Sequence, residues 1–225
     1  MKGRFAVGAA ILLLAAACRT GRPILGPIPE RIESIRGEAS LRLARTGGAG
    51  RARLAFLLQP PGRASLEALD PLNRTIFRVM IEGETATLIV PSRRAYWTGA
   101  RTEVLAAGLG FPLSVAEMAG MLCGRWASAA GPDAPVGWDL TRDGQGRIGG
   151  GRREGFSFRV DEFFPRRPIP RKIVFASADG SGALTVRGLS FNIPAGAGAL
   201  QPAAIPLSFV RLTGAEMQRL LRDED

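Results

Sequence analysis

Few side chains in this sequence could do chemistry, and their types argue against catalysis. Histidine, the commonest general base and metal ligand, does not occur among the 225 residues. The neighbouring carboxylates Asp161 and Glu162 lie in GFSFRVDEF, a predicted strand on which successive side chains point to opposite faces, so they cannot act as an acid–base pair. The segment GQGRIGGGRREG leads into no helix and does not match a phosphate-binding loop, so we interpret it as a mobile hairpin connection. We therefore predict that the chain is not an enzyme, and we expect neither a cofactor nor a metal ion.

Cys18 is the residue whose surroundings predict a covalent modification. Lys2 and Arg4 begin the chain, and the apolar run FAVGAAILLLAAA that follows is shorter than the roughly 20 residues that cross a bilayer but typical of a signal peptide. Small residues lie directly before Cys18, as in bacterial lipoprotein signals, which are cleaved before a cysteine that then carries lipid. An ordinary secretory signal with a chance cysteine is the alternative. We predict a signal peptide over 1–17, and a lipid anchor with a Pro/Gly-rich tether over 18–30.

Basic residues outnumber acidic ones, 30 to 20, which gives a net charge of +10. Nucleic acid is not the expected partner, because an exported protein rarely meets any and because the basic residues are scattered rather than clustered with aromatic ones. An affinity for anionic lipid surfaces fits this charge. The alternative is that a GC-rich coding sequence favours arginine on a solvated face.

Most of the remaining chain alternates between apolar and polar residues with a period of two, which predicts strands that bury one face. Turn-forming residues separate these segments at intervals of about ten residues, as in antiparallel meanders. We predict a mainly β (α+β) fold, with one strongly curved antiparallel sheet in a single domain over 31–225. The predicted strands are GEASLRLA, RARLAFLL, ASLEAL, TIFRVMIE, TATLIVP, GFSFRVDEF, RKIVFASA, GALTVRGLSF and IPLSFVRL.

Helices are predicted at a few places. SVAEMAGMLCG has the capping-box pattern, with Ser114 followed three residues later by Glu117, and Gly124 suits its end. The C-terminal TGAEMQRLLR repeats the same box. An earlier segment, ERIESIR, predicts a short helix that leads into the first strand. We expect these helices to lie against the concave face of the sheet.

Several segments in order resemble the LolA/LolB family of lipoprotein localisation factors, and most closely its LolB branch of outer-membrane lipoprotein receptors. The resemblance runs from about Ile32 to Phe191, and 192–225 extends beyond it. It rests on RGEASLRL, RARLAFLLQPPGRASLEALDPLN, TATLIVPSRRAYWTG, GFPLSVAEMAGMLCG and PIPRKIVF. The resemblance implies an incomplete β-barrel of about eleven strands, with helices as a lid over a hydrophobic cavity.

The resemblance also implies a function without bond making or breaking. The chain would bind acyl chains of lipoproteins, or another lipid, and help insert lipoproteins into the outer membrane. It would face the periplasm as a monomer, take its cargo from a periplasmic carrier protein and bind no nucleic acid. Arg19 after Cys18, rather than the Asp associated with inner-membrane retention, implies the outer membrane.

The implied cavity would be lined by the inward side chains of the strands and by the apolar stripe of the first helix. For each candidate, ordinary core packing is the alternative. The candidates are Leu41, Leu54, Phe56, Leu66, Phe77, Val79, Leu88, Met118, Met121, Leu122, Phe158 and Phe175.

The stretch ALDPLNR places Leu72 among turn-forming residues. From composition alone, Leu72 either tucks into the core or points outward. The family carries a protruding Asn-Pro-Leu-Gly loop between two strands, whose exposed leucine pushes cargo into the membrane. DPLN lies at the matching place, so the resemblance implies that role for Leu72. Asn73 replaces the family's glycine and also tolerates a positive φ.

A different function remains open at this point. The same fold could serve as a periplasm-facing module that binds a partner protein or another hydrophobic ligand. The surfaces for such a partner would be an exposed edge of the sheet or the Arg-rich 142–155 segment.

Overall fold

A computed structural model describes residues 25, 27–45, 48–126, 137–178, 180–193, 200 and 205–222. The predicted signal peptide and Cys18 lie outside the described residues. In these residues, twelve strands form a single curved sheet that does not close, and three α-helices pack with it. The mainly β fold predicted from the alternation is confirmed, with twelve strands where the resemblance implied about eleven.

The strands are β1 (Ile35–Arg45), β2 (Gly48–Gln59), β3 (Arg63–Leu69), β4 (Thr75–Glu82), β5 (Thr85–Val90), β6 (Ala95–Ala100), β7 (Asp139–Arg142), β8 (Ile148–Arg153), β9 (Phe156–Phe163), β10 (Pro170–Ser177), β11 (Gly180–Phe191) and β12 (Val210–Arg211). Their order across the sheet is β12-β6-β5-β4-β3-β2-β1-β11-β10-β9-β8-β7. Consecutive strands from β1 to β6 and from β7 to β11 are antiparallel neighbours. Strand β11 also pairs antiparallel with β1, whereas β12 pairs in parallel with β6.

Apolar side chains from neighbouring strands stand opposite one another on the inner face, which is the face that carries the buried residues. One such row crosses β2 to β6, where each residue is the register partner of the next. Its members are Phe56, Leu66, Val79, Leu88 and Trp97, all buried. Because side chains on a strand alternate in direction, the polar residues between them lie on the outer face. The alternation in the sequence thus becomes one apolar face.

Two helices cover this inner face. Helix α1 (Arg101–Leu109) packs against β4, β5 and β6, and helix α2 (Val115–Cys123) packs against β2 and β10. The sequence did not predict α1, which has no side-chain cap at its N-terminus. The prediction of α2 is confirmed with both hydrogen bonds of its capping box. No helix in the described residues is long and apolar enough to cross a membrane.

The C-terminal segment covers one edge of the sheet. Strand β12 pairs in parallel with β6, and helix α3 (Gly214–Arg222) then packs against β6 and α1 with Met217 fully buried. Unpaired edges invite association with other strands, so this segment also protects β6. The predicted C-terminal helix is confirmed, with its capping bonds between Thr213 and Glu216. Of the predicted strand IPLSFVRL, only Val210 and Arg211 pair.

The predicted helix over ERIESIR is wrong. Ile32 and Ile35 are both buried, as in a helix, but Ile35 already belongs to β1 and pairs with Leu58. The backbone N–H groups of Glu33 and Ser34 donate to Oδ1 of Asn192, 2.8 and 3.2 Å away. Tertiary contacts therefore supply the hydrogen bonds that a helical turn would have supplied internally.

The interpretation of GQGRIGGGRREG as a mobile connection is also wrong, because Ile148–Arg153 is strand β8. A Cβ on Gly151 would lie 2.6 Å from Cε1 of Phe158 and 2.7 Å from Cδ2 of Leu140. Glycine is therefore required where aromatic side chains fill the inner face. A strand without alternating side chains carries no period-two signal, which is why the pattern missed it.

Candidate functional site

The twelve side chains predicted to line a cavity all lie in one buried apolar cluster. Each is at most 8% exposed to solvent. The strand residues belong to the inner face of β1–β5, β9 and β10, and the remaining three belong to α2. The structure thus places them together between the sheet and its covering helices. Their role in binding an acyl chain stays a prediction.

Helix α1 lies directly on one part of this cluster. A Cβ on Gly108 would be in ordinary van der Waals contact with Leu88, Phe77 and Val79, at 3.6 to 3.7 Å. A methyl group would therefore fit at Gly108 without a clash, and the helix backbone faces these three side chains at ordinary packing distance. The sequence did not reveal this contact, because α1 itself was not predicted.

Aromatic rings form a second part of the cluster, beside α2. Trp126 stacks on Phe158 with 5.5 Å between ring centroids, and Trp138 lies 4.8 Å from Trp126 and 5.6 Å from Phe158. Phe156 extends this aromatic group to Phe175, with 6.1 Å between their ring centroids. Such pairs contribute about 0.5–1.5 kcal/mol each beyond their buried area. The alternation of GFSFRV revealed Phe158 but gave no signal for the two tryptophans, which lie outside the predicted strands.

A charged contact holds α2 against β8. Glu117 is the one buried charged side chain of the residues described, and its Oε1 accepts hydrogen bonds from Nη1 of Arg153 at 2.5 Å and from Nε1 of Trp138 at 2.8 Å. Arg153 also donates to the carbonyl of Pro112 and lies over the Trp138 ring. The capping residue Ser114 donates its N–H to the other carboxylate oxygen at 2.6 Å. One carboxylate thus caps the helix and fixes it to the sheet.

The turn that carries Leu72 connects β3 to β4 and is held by Asp70. Oδ1 of Asp70 accepts the N–H groups of Leu72 and Arg74 at 2.7 and 2.9 Å, and Oδ2 accepts Nε of Arg74 at 2.6 Å. Asn73 has a φ of 63°, so asparagine fills the left-handed position that glycine would fill. Leu72 is 72% exposed at the tip. It does not tuck into the core.

The turn between β7 and β8 has the same construction. Asp143 accepts the N–H groups of Gln145 and Arg147 and the Nε of Arg147, at 2.9, 3.0 and 2.7 Å. Gly146 occupies the left-handed position with a φ of 75°. Gln145 lies where the first turn has Leu72, and it is exposed. A polar tip is therefore compatible with this turn, so the turn geometry does not require a leucine.

Groups suited to catalysis or metal binding do not appear in the part of the chain that the structure describes. No three Asp, Glu, Cys or His side chains there could hold a metal ion together. Cys123 lies buried in α2, and burial raises the pKa of its thiol to about 12. A thiol in such surroundings is a packing residue rather than a nucleophile.

Comparison with known proteins adds a relative that spans most of the chain. No protein-family model matches the sequence. The outer-membrane lipoprotein LolB of Cupriavidus necator is 30% identical over 186 residues, which cover 81% of this chain and 91% of the relative.

Solved structures also resemble the chain. A DUF1329 family protein from Desulfovibrio piger matches 89% of this chain and 98% of its own with a TM-score of 0.50 at 9% identity, a similarity of fold alone. A LolA superfamily protein from Nitrosomonas europaea matches 75% of this chain and 89% of its own with a TM-score of 0.46 at 11% identity.

Replacing Arg153 tests the contact that holds α2. We expect Arg153→Ala to lower the free energy of unfolding by about 3 kcal/mol, because it leaves the buried Glu117 carboxylate without its charged partner. Arg152→Ala is the matched control. Both side chains of the Arg152–Asp139 pair are exposed, so the pair contributes at most about 0.5 kcal/mol to the free energy of unfolding. Urea denaturation measures both values. Equal small losses for the two variants would contradict the role given to Arg153.

Acidification tests the turn that presents Leu72. The backbone N–H of Arg74, the Arg74 side chain and the N–H of Leu72 hold the pKa of Asp70 below its ordinary value. The carboxylate therefore stabilises the turn at all pH values above the ordinary Asp pKa of about 3.9, and this contribution is lost as the pH falls through the lower pKa of Asp70. In an NMR titration, the Leu72 amide should shift with that lower midpoint. A midpoint at or above the ordinary value would show that the carboxylate does not hold the turn.

Proposed function

The chain belongs to the family of the outer-membrane lipoprotein LolB, and from this membership we propose that it receives lipoproteins by their acyl chains and inserts them into the outer membrane. The family role is lipoprotein localisation, and its members are not enzymes. The observation that carries the proposal is the exposed Leu72 on a turn fixed by Asp70, in a chain that matches LolB over most of its length.

We propose that the acyl chain lies between the inner face of the sheet and helices α1 and α2. Apolar side chains of all three converge there, and burial of each acyl CH₂ contributes about 0.8 kcal/mol. Met118 and Met121 point into this cluster from α2 and are buried. Methionine side chains adapt to irregular and flexible ligands, which supports their place in such a site.

We assign to Leu72 the step at the membrane. Burial of a leucine side chain contributes roughly 1.5–3 kcal/mol, and a leucine held in solvent does not gain this contribution. Asp70 prevents the turn from relaxing to bury it, so Leu72 gains that contribution when the turn enters an apolar phase. The turn is thereby suited to bring bound cargo to the bilayer.

We further propose that the mature chain is anchored in the outer membrane by a lipid on Cys18 and faces the periplasm. Residues 1–17 would be the signal peptide, 18–30 the anchor and tether, and 31–225 the lipid-binding domain with an extension from about 192. Ile32 is buried just after the proposed tether, and Leu25 and Ile28 within it are partly buried against the core, with Leu25 beside Leu189. The free part of the tether would therefore end before Leu25. Stable anchoring takes more than one acyl chain, which a lipidated N-terminal cysteine would provide.

The alternative of a protein-binding module has weaker support. It relied on an exposed edge of the sheet, such as that of β7, or on the Arg-rich 142–155 segment as a free surface. Arg153 binds Glu117 there, and Arg147 binds Asp143 and lies over the ring of Phe163, 3.8 Å from its centroid. Those two side chains thus have structural partners within the chain.

Substitution of Leu72 tests the proposed function. Leu72→Glu should leave the free energy of unfolding within about 0.5 kcal/mol and leave acyl-chain binding intact, because Leu72 is exposed at the tip of its turn. Transfer of a lipidated peptide from the protein to vesicles should fall at least about tenfold, because a charge replaces the apolar tip.

Gln145→Glu is the matched control, because it introduces the same charge at the same position of the equivalent turn. We expect normal transfer from this variant. Undiminished transfer by Leu72→Glu would show that Leu72 is only a turn residue. A parent chain that binds no acyl chain would contradict the carrier function itself.

A further inference from the structure

Large apolar side chains are exposed at two further places near the C-terminus. Leu207 is fully exposed and Val210 is 60% exposed. Together with Leu72 and Ile193, they are the exposed large hydrophobic residues of the part described. Leu207 and Val210 belong to the segment 205–211, far along the chain from the turn that carries Leu72. The family's known turn therefore does not account for them.

The register of the sheet places Val210 at the same end as Leu72. Val210 stands beside Ala95 at the start of β6, and Ala95 pairs with Val90 at the end of β5. Strand β4 begins at this end, directly after the Leu72 turn. Since neighbouring strands lie about 4.8 Å apart, roughly 17 Å separates the Leu72 turn from β12 along the sheet.

Ile193 lies at the opposite end. It follows β11, which finishes at Phe191 beside Ile35 at the start of β1. Strand β1 runs in the same direction as β3, because β2 lies antiparallel between them. The start of β1 and the end of β3 are therefore opposite ends of the sheet, which separates Ile193 from Leu72.

The segment 205–211 is fixed to the sheet. Phe209 N–H donates to the carbonyl of Pro206 at 2.9 Å, which closes a turn with Leu207 at its tip. Val210 N–H then donates to the carbonyl of Arg94 at 2.8 Å, and Leu212 N–H donates to that of Tyr96. An apolar side chain held in solvent by backbone hydrogen bonds cannot bury itself by a small rearrangement.

Basic side chains lie at the same end of the sheet as these apolar tips. Arg74 closes the Leu72 turn and Arg94 lies in the connection that binds Val210, and both are exposed. Asp70 is the acidic residue of the Leu72 turn, and Arg74 already pairs with it. The local charge is positive, which complements anionic phospholipid headgroups.

We propose that Leu72, Leu207 and Val210, with Arg74 and Arg94, form one contact surface for a bilayer that contains anionic phospholipid. The inference deepens the proposed function and rests on it for the role of Leu72. Spaced apolar tips among arginines suit a bilayer interface, since the core of a protein interface needs a contiguous apolar patch with few charges. The C-terminal segment thus provides a second point of membrane contact, which orients the chain for delivery.

Vesicle binding tests this surface with a chain of residues 19–225. Every buried core residue among those that the structure describes lies between Ile32 and Met217, so this chain keeps that core while it lacks the proposed lipid anchor. The vesicles contain phosphatidylethanolamine with or without phosphatidylglycerol. We expect the double variant Leu207→Gln/Val210→Gln to bind anionic vesicles at least about tenfold more weakly, because two apolar side chains no longer enter the bilayer.

Ile193→Gln is the matched control, an exposed apolar residue at the other end of the sheet, and should bind like the parent. Parental affinity in the double variant would overturn the proposal, as would equal binding to vesicles without phosphatidylglycerol. Weaker binding of an acidic periplasmic carrier by the double variant, with vesicle binding unchanged, would identify a protein interface and overturn it also. Acyl-chain binding is measured in parallel. A protein that binds vesicles but no acyl chain would contradict the proposed function and would leave this contact surface supported.

A fluorophore on Leu207→Cys gives a second measurement that does not depend on affinity. Cys123 should not be labelled, because it is buried and its thiol pKa is raised to about 12. We expect the emission of an environment-sensitive probe to shift to the blue on addition of anionic vesicles. Emission that stays unchanged while the protein is bound would overturn the insertion of Leu207.

Discussion

Alternating apolar and polar residues leave one face of the twelve-stranded sheet apolar, and the rest of the fold follows from the need to cover that face. A curved sheet cannot bury this face by itself unless it closes, and this sheet does not close. The helices therefore cover it, α1 over β4–β6 and α2 over β2 and β10. A sheet covered by helices, rather than by a second sheet, has a cover that can separate from it without breaking strand pairing. That property suits a protein proposed to admit acyl chains.

The two helices are held in different ways. Helix α1 is held by the packing of its buried residues Val104, Leu105 and Leu109, whereas α2 is fixed at its first turn by the contact between Glu117 and Arg153. A buried charge pair adds little net stability compared with apolar packing, but it specifies one position, because any other position leaves a buried charge without a partner. The start of α2 is thus fixed in place, while its methionines, Met118 and Met121, supply adaptable contacts in the same cluster.

The sequence alone predicted the features that depend on local pattern. Period-two alternation located β1–β5 and β9–β11, and the capping boxes located α2 and α3, because these signals lie within a few residues of each other. Helix α1 was missed because its N-cap, Ala100, offers no side-chain hydrogen bond. Strand β8 was missed because its glycines make room for distant aromatic rings. The pairing of Glu117 with Arg153 could not be predicted from the sequence either, because only the tertiary structure brings these two residues together. The exposure of Leu72 was implied by the family resemblance rather than by composition.

Binding of a palmitoylated lipopeptide to residues 19–225 shows whether acyl chains lie between the sheet and its helices, as we propose. The bound peptide is counted by mass spectrometry after the protein is separated from free peptide. We expect saturation at about one lipopeptide per chain, with no binding of the same peptide without its acyl chain, because the apolar cluster recognises only the hydrocarbon. A folded protein that binds neither peptide, or binds both equally, would rule out this binding site.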